Sequence, residues 1–469
     1  MVILSLRDIF ENIDENREKA LNRLSELVRI PSISAEQKGA ECADALIDII
    51  KKELNFNTRK VPTSGAPVVY AESGSDAETT LLFYNHYDVQ PVDPLEEWNT
   101  PPFEPAIQEG KMYGRGVEDN KGNIIARIFA IKAYQTIMGD LPINIKFIIE
   151  GQEEIGSPYL HEFVEKYPDL VQGDFCIWES GHRDIQGRQQ VWLGVKGILY
   201  LNLEVTGAKR DIHSSWGGVV ENPAWELVWA LSSLKNKDQF ILIEGFYDDV
   251  RPPTEEELEN LKMIPFGEEA YYEDFGIKQF METGEELKKA YYYAPSLTID
   301  GLDSGYKGPG AKTIIPAEAK AKIDFRLVPN QNPTDILNKF KKHLQKFHFN
   351  KVKITSSHGY PPARTPLSSK YLKIIRETGE KLYRSPFIIH PTTAGSGPMY
   401  LFIEKMDCIS FGCGHAKSLP HAPNENIKIE DLLLNMKHLA AIFHSFRAVS
   451  YTHLRAHETS LHLVCRLLL

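Results

Sequence analysis

The chain has 469 residues with 53 basic and 64 acidic side chains, a formal charge of -11. That length exceeds what one hydrophobic core organises, so two domains, or one carrying an insertion, are expected. The acidic balance argues against a nucleic-acid or anionic-membrane surface, and no uninterrupted apolar run reaches the roughly 18 residues of a membrane span.

The N-terminal stretch to Ile30 alternates charged and apolar residues without the compact apolar core and small-residue cleavage site of a secretory signal, so a cytoplasmic location is expected. Leu6–Arg29 reads as an amphipathic helix with Ile9, Ile13, Ala20, Leu24 and Leu27 near one face. A second helix, Ala35–Lys52, follows a turn in which Ser34 is a cap. Val68–Ala71 and Leu81–Asn85 read as strands, Asn123–Tyr134 as a helix, and Ile143–Glu150 as a central strand. Ser157–Tyr167 is helical and Asp174–Trp178 is another buried strand. Strands alternating with helices define an α/β sheet covered on both faces.

The pattern changes after Gly194. Lys196–Thr206 alternates as a long strand, Asn222–Leu234 is a helix opened by Asn-Pro, and Asp248–Tyr293 is charged, aromatic-rich and expected to be loop-rich. Ala317–Val328 is a strand, Pro333–Phe347 a helix and Lys351–Ser356 a further strand, the order of a small α/β sandwich inserted into the first domain. From Ser368 the helix-and-strand pattern resumes with Tyr371–Tyr383, Asp407–Phe411 and the long helix Ile429–Phe446. Val449–Leu469 breaks the pattern and reads as a non-native or disordered tail, so His453, His457 and His462 are set aside. The five cysteines Cys42, Cys176, Cys408, Cys413 and Cys465 form neither a disulfide framework nor a zinc-ribbon spacing and read as buried thiols.

Chemistry-bearing residues collect where strands become loops. The strand Leu81–Asn85 delivers His86-Tyr87-Asp88, a glycine-rich run carries Asp119, and the strand ending at Glu150 leads to Glu153-Glu154. The next strand ends at Glu179, and a late turn carries His421 in His-Ala-Pro-Asn-Glu. In open α/β sheets ligands bind off the carboxyl ends of strands. His86, Asp119, Glu154, Glu179 and His421 make an N/O set suited to zinc, manganese or cobalt, and five ligands serve two ions if one carboxylate bridges. Glu153 and Glu154, adjacent in an extended segment, point to opposite sides, so one ligates while the other faces water. Asp88, two residues beyond His86, is placed to orient the imidazole. His415 lies in a similar glycine turn, but the Pro-Asn-Glu context selects His421.

On these motifs the chain resembles the M20 metallopeptidases, a family that includes cytosolic dipeptidases, glutamate carboxypeptidases, aminoacylases and the succinyl-diaminopimelate and acetylornithine deacylases. The resemblance covers the chain up to about Arg447. It implies a zinc-peptidase-like catalytic domain with a mixed sheet covered by helices, residues 1–194 and 364–448, and an inserted α/β lid and dimerisation domain, residues 195–363. It implies two divalent ions, zinc foremost, bridged by Asp119. One ion takes His86 and Glu179 and the other takes Glu154 and His421, with Glu153 as general base and a cis peptide after Asp119. His213, in Asp-Ile-His-Ser-Ser, matches a lid histidine that reaches the partner's site in a homodimer and stabilises an oxyanion. Arg326 matches a substrate-carboxylate contact, and Gly395 and Ser396 match a substrate loop. In the dipeptidase and aminopeptidase branches aspartate is usual at the position of Glu179, whereas glutamate is commoner among carboxypeptidases and deacylases; the inserted segment as a whole resembles the dipeptidase branch more. The expected activity is hydrolysis of dipeptides or short peptides with a free carboxylate, the alternatives being N-acyl amino-acid deacylation with the same site and a non-catalytic, metal-stabilised binding protein.

Overall fold

The computed structural model describes residues 5–466, with side chains through Arg447. The backbone of the last helix is assigned over Ile429–Arg466; side chains beyond Arg447, including those of Cys465 and the three histidines set aside above, lie outside the described residues, and so does the expectation about the tail. Among the described residues no helix is long and apolar enough to cross a membrane.

The chain divides into two compact units. The first takes in the chain up to Leu193, then Thr365–Pro391, and the chain from Leu401 onward. Its eight-stranded mixed sheet runs in the order Asn57–Val61, Val68–Glu72, Asn144–Glu150, Thr80–His86, Phe175–Trp178, Asp407–Ser410, Gln190–Trp192, Ile388–His390. The four strands from Asn144–Glu150 to Asp407–Ser410 are mutually parallel. Their carboxyl ends therefore share one edge, which brings His86, Glu150 and Trp178 to the same side. These strands are apolar on both faces, as a doubly covered parallel sheet requires. The helix Lys121–Met138 is buried almost all round, which marks an interior element rather than a surface one.

The second unit is Gly194–Arg364 with Thr392–Tyr400. A four-stranded antiparallel sheet in the order Ser296–Ser304, Glu318–Leu327, Gly197–Thr206, Lys353–Tyr360 carries the helices Pro223–Leu234 and Pro333–Lys346. The strand Gly197–Thr206 alternates strictly between buried and partly exposed residues. Its Leu199, Leu201, Leu203 and Val205 pack with Leu227, Leu231, Ile336 and Phe340 of the helices. Both helices open on Asn-Pro: Asn222 accepts from the Ala224 amide and Asn332 from the Thr334 amide, satisfying donors that a helix start leaves free.

Three expectations are corrected. The first helix is two, Leu6–Glu15 and Arg17–Val28, with Asn16 between them turning its side-chain Nδ2 back onto the Asn12 carbonyl at 2.9 Å. The segment 248–293 is not mainly loop. It holds helices Glu255–Met263, Glu268–Phe275 and Gly284–Tyr293, the first opened by a reciprocal capping box between Thr254 and Glu257. The segment Thr392–Tyr400 belongs with the second unit rather than the first, because the Thr393 amide donates to Gly194 O at 2.8 Å and the Lys196 amide to Gly395 O at 2.9 Å.

Candidate metal centre

His86 ends its strand with a fully buried imidazole, and its Nε2 lies 3.0 Å from Asp119 Oδ1. The other oxygen of Asp119, Oδ2, lies 3.0 Å from His421 Nε2, which is also 3.1 Å from Glu154 Oε2. Donor atoms of His86, Asp119 and Glu154 all fall within 4.8 Å of one another. The Asp119–Asn120 peptide is cis. Residues far apart in sequence thus meet at the carboxyl edge of the sheet, with one aspartate oxygen turned to each histidine.

Glu153 and Glu154 occupy a 3-10 turn, Glu153–Ile155, and not the extended segment expected. The cause is Asp88, whose carboxylate accepts from the Glu153 amide at 3.2 Å and the Glu154 amide at 3.0 Å, curling the chain as an N-cap does. Asp88 also faces His86: Nδ1 is 3.1 Å from the Asp88 carbonyl oxygen and 3.4 Å from its carboxylate. The carbonyl is therefore the nearer group orienting the ring, and the carboxylate serves mainly the glutamate turn.

Glu179 follows its strand in a left-handed conformation, φ 34°. Its Oε1 is buried without a hydrogen-bond partner. Burial, then Asp119, Glu150 and Glu154, push its carboxyl up to about 8 against the pull of His86. Burial and Glu179 likewise hold the Glu153 carboxyl well above the ordinary range, again against His86. Hydrogen bonds that Asp119 and Glu154 accept from its ring push His421 up to about 10. So many carboxylates crowded around two imidazoles, one with an orphaned oxygen, form a donor set that divalent cations would satisfy. The residues present fit the two ions that the resemblance implies.

Three neighbours escaped the reading of the sequence. Gln90 Nε2 donates to Glu154 Oε2 at 2.8 Å. Lys121, fully buried, donates to the Leu27 and Ile30 carbonyls at 3.0 and 2.9 Å, tying the Asp119 loop to the end of the second helix. Arg127, 2% exposed, donates to the Tyr84 carbonyl and the Glu179 carbonyl, each at 2.6 Å, and to Asn85 Oδ1, while Asn85 donates to Asn120 Oδ1. One buried guanidinium therefore joins two strand ends to the loop of Asp119. The only signal in the sequence was a charge on the apolar helix that follows that loop. The competitor His415 is buried elsewhere, with Nε2 3.0 Å from Asn426 Oδ1 and Nδ1 accepting from the Lys417 amide.

The remaining candidates lie in the second unit. His213 is exposed; its Nδ1 accepts from the Ser215 amide at 3.1 Å, which leaves Nε2 to carry the proton of the neutral ring. Arg326 donates through Nε to Asp324 at 2.9 Å and through Nη1 to Ser396 Oγ at 3.0 Å. Ser396 thus sits on the arginine by direct contact. Gly395 has negative φ, and a side chain there would meet only Thr393 Oγ1 at 3.7 Å, so nothing within this unit requires glycine at position 395.

A sheet edge gathering imidazole nitrogens and buried carboxylates is the arrangement of a metal-dependent hydrolase. The model of peptidase family M20/M25/M40 matches residues 82–445. The Beta-Ala-His dipeptidase of Homo sapiens is 32% identical over 466 residues, 93% of this chain and 92% of the relative. The Cys-Gly metallodipeptidase of Schizosaccharomyces pombe is 29% identical over 481 residues, 95% of this chain and 99% of that protein. The solved structure of the M20 family metallo-carboxypeptidase Sso-CP2 from Sulfolobus solfataricus superposes with a TM-score of 0.85 at 40% identity, covering 91% of this chain and 99% of that one. The chain belongs to peptidase family M20 and is a metallopeptidase-type hydrolase.

Proposed function

We propose that the protein hydrolyses dipeptides or short peptides bearing a free carboxylate, using two divalent cations, zinc foremost, and Glu153 as general base. The observation that carries this reading is the division of Asp119, with Oδ1 toward His86 and Oδ2 toward His421. His86, Asp119 and Glu179 would hold one ion, and Asp119, Glu154 and His421 the other. When bound, the cations supply positive charge that acidifies water and polarises the scissile carbonyl.

The chain's own residues do the rest. Glu153, on the turn beside Glu154, takes a proton from the attacking water and returns it to the leaving amine. The Asp88 carboxylate fixes the turn on which Glu153 and Glu154 stand. Arg326, with Ser396 beside its guanidinium, holds the substrate carboxylate, a task that suits its planar fork. His213 Nε2–H, supplied by a second copy of the chain, donates to the developing oxyanion. Exposed Trp225, Val228 and Trp229 on the helix Pro223–Leu234, with Trp216 and Val219 before it, support dimerisation through this inserted unit. The buried thiols of Cys42, Cys176, Cys408 and Cys413 suit a reducing, cytoplasmic setting.

The two dipeptidases and the carboxypeptidase among the similar proteins support peptides over N-acyl amino acids. The test is turnover by protein loaded with zinc, manganese or cobalt, over a panel of Cys-Gly, β-Ala-His, Leu-Gly, Ala-Ala-Ala, N-acetyl-ornithine and N-succinyl amino acids. Peptides are expected to be cleaved and N-acyl compounds spared. Preferential cleavage of N-acyl compounds would overturn the substrate class, and no turnover of any member would overturn the activity.

A further inference from the structure

Glu425 is fully buried and has no role in the proton transfer or ion holding proposed above. Its carboxylate receives four donors: Arg115 Nη1 at 3.0 Å and the Gly116 amide at 2.8 Å on Oε2, and the Glu118 amide at 2.9 Å and the Asp119 amide at 3.0 Å on Oε1. Its backbone carbonyl accepts a fifth, from the Gly114 amide at 3.0 Å. The loop 114–119 is thus wrapped around a single side chain from the far end of the sequence. Successive backbone amides turned inward form an anion-binding concavity, and here the anion is the chain's own. Gly116 makes the wrapping possible: its φ is 87°, and a side chain there would press on Val89 Cγ1 at 2.7 Å.

Glu425 also belongs to the segment that carries His421, four residues earlier. That segment is pinned a second time by Asn424, which accepts from the Asn99 amide at 2.7 Å and donates to the Glu97 carbonyl at 2.9 Å. One residue therefore grips the backbone of Asp119 and the loop of His421 together. Those two ligands meet with Nε2 and Oδ2 3.0 Å apart.

We propose that Glu425 is a positioning residue of the metal centre: by closing the loop 114–119 around its carboxylate it sets Asp119 and His421 in one geometry, so that ion affinity depends on a side chain that is not itself a ligand. Glutamine in its place would keep the volume but turn an N–H group toward donors and leave Arg115 buried without its counter-charge, a loss of much greater consequence than removal of a surface charge. This inference rests on the metal reading above, and its test does not use turnover.

The zinc dissociation constant is measured by competition with a chromophoric chelator for the full chain and for Glu425→Gln, alongside the melting temperature of each without metal. Glu425→Gln is expected to bind zinc roughly 10–100-fold more weakly, the usual loss when a group supporting a ligand is removed. Arg115→Gln, which keeps the amide bonds to Glu425, is expected to lose less and decides the matter if Glu425→Gln does not fold. Glu53→Gln serves as the reference: this buried carboxylate in the same unit is bound by Lys19, Arg23 and Lys132, and its loss should lower the melting temperature while zinc affinity stays as in the wild type. A folded Glu425→Gln or Arg115→Gln protein with wild-type zinc affinity would overturn the proposal. So would an equal weakening in Glu53→Gln, which would mean that zinc affinity merely follows stability. If the wild type itself bound no divalent ion, the metal reading would fail first, and that outcome is distinct from either of these.

Discussion

The candidate groups of the first unit and those of the second are held in different ways. At the sheet edge His86 is fully buried and His421 is 55% exposed, yet every candidate ligand touches another ligand or a supporting group: Gln90 on Glu154, the Asp88 carbonyl on His86, Arg127 on the backbone of Glu179. In the second unit His213 is exposed on a two-residue strand, and the Arg326 side chain remains about a third accessible at 34%. The first arrangement is organised in advance, as electrostatic catalysis requires. The second offers more open donors, with Arg326 held by Asp324 and Ser396 and His213 Nε2 3.5 Å from Thr313 Oγ1. Loss of a group from the edge should therefore damage chemistry, whereas loss of Arg326 from the second unit should damage recognition.

The largest expected effect tests the first half of that contrast. Glu153→Gln should lower kcat by roughly 10²–10⁴-fold while metal content, measured by atomic emission, stays near wild type. Loss of the metal would instead make Glu153 a ligand and Glu154 the candidate base. An intermediate effect tests the second half. Arg326→Lys keeps the charge but removes the fork, and should raise KM for peptides roughly 10-fold, the cost of about one charge-assisted hydrogen bond, with kcat changed little. An equal fall in kcat and kcat/KM would show that Arg326 acts only in the transition state and would erase the distinction between the units.

The smallest effect on chemistry should come from a buried charge remote from both. Burial alone would raise the Glu53 carboxyl, but hydrogen bonds from Lys132, Lys19 and Arg23 hold it at about 2 against an ordinary 4.5. A depressed folded-state pKa gives stability that is present above about pH 4.5 and is lost as pH falls toward about 2. Glu53→Gln should therefore cost roughly 3 kcal/mol at neutral pH, with wild type and variant converging in denaturant melts as the medium is acidified. A gap that persists at low pH would mean that packing, not charge, is what Glu53 contributes.

How much was legible in advance follows from the range of the forces involved. The central strands were readable because parallel strands covered on both faces must be continuously apolar, as Leu81–Tyr84 and Phe175–Trp178 are. The two Asn-Pro helices were readable because a cap acts within three residues. The capping box at Thr254 and Glu257 carried the same kind of local signal, but in a stretch whose charge and aromatic content masked it. Short strands such as Gln190–Trp192 and Ile388–His390, which pair with each other across the chain, carried no period long enough to read.

The sequence by itself determined the inventory: histidines and carboxylates at strand ends, in a spacing that converges once the strands lie parallel. Only the tertiary structure decided which groups hold that inventory in place. Asp88 caps the glutamate turn, Arg127 ties two strand ends, and Glu425 meets the Asp119 amide across 306 positions of sequence. The physical reason is that a buried amide must find an acceptor wherever the fold supplies one. Local patterning states that the need exists, and only the assembled chain shows which residue meets it.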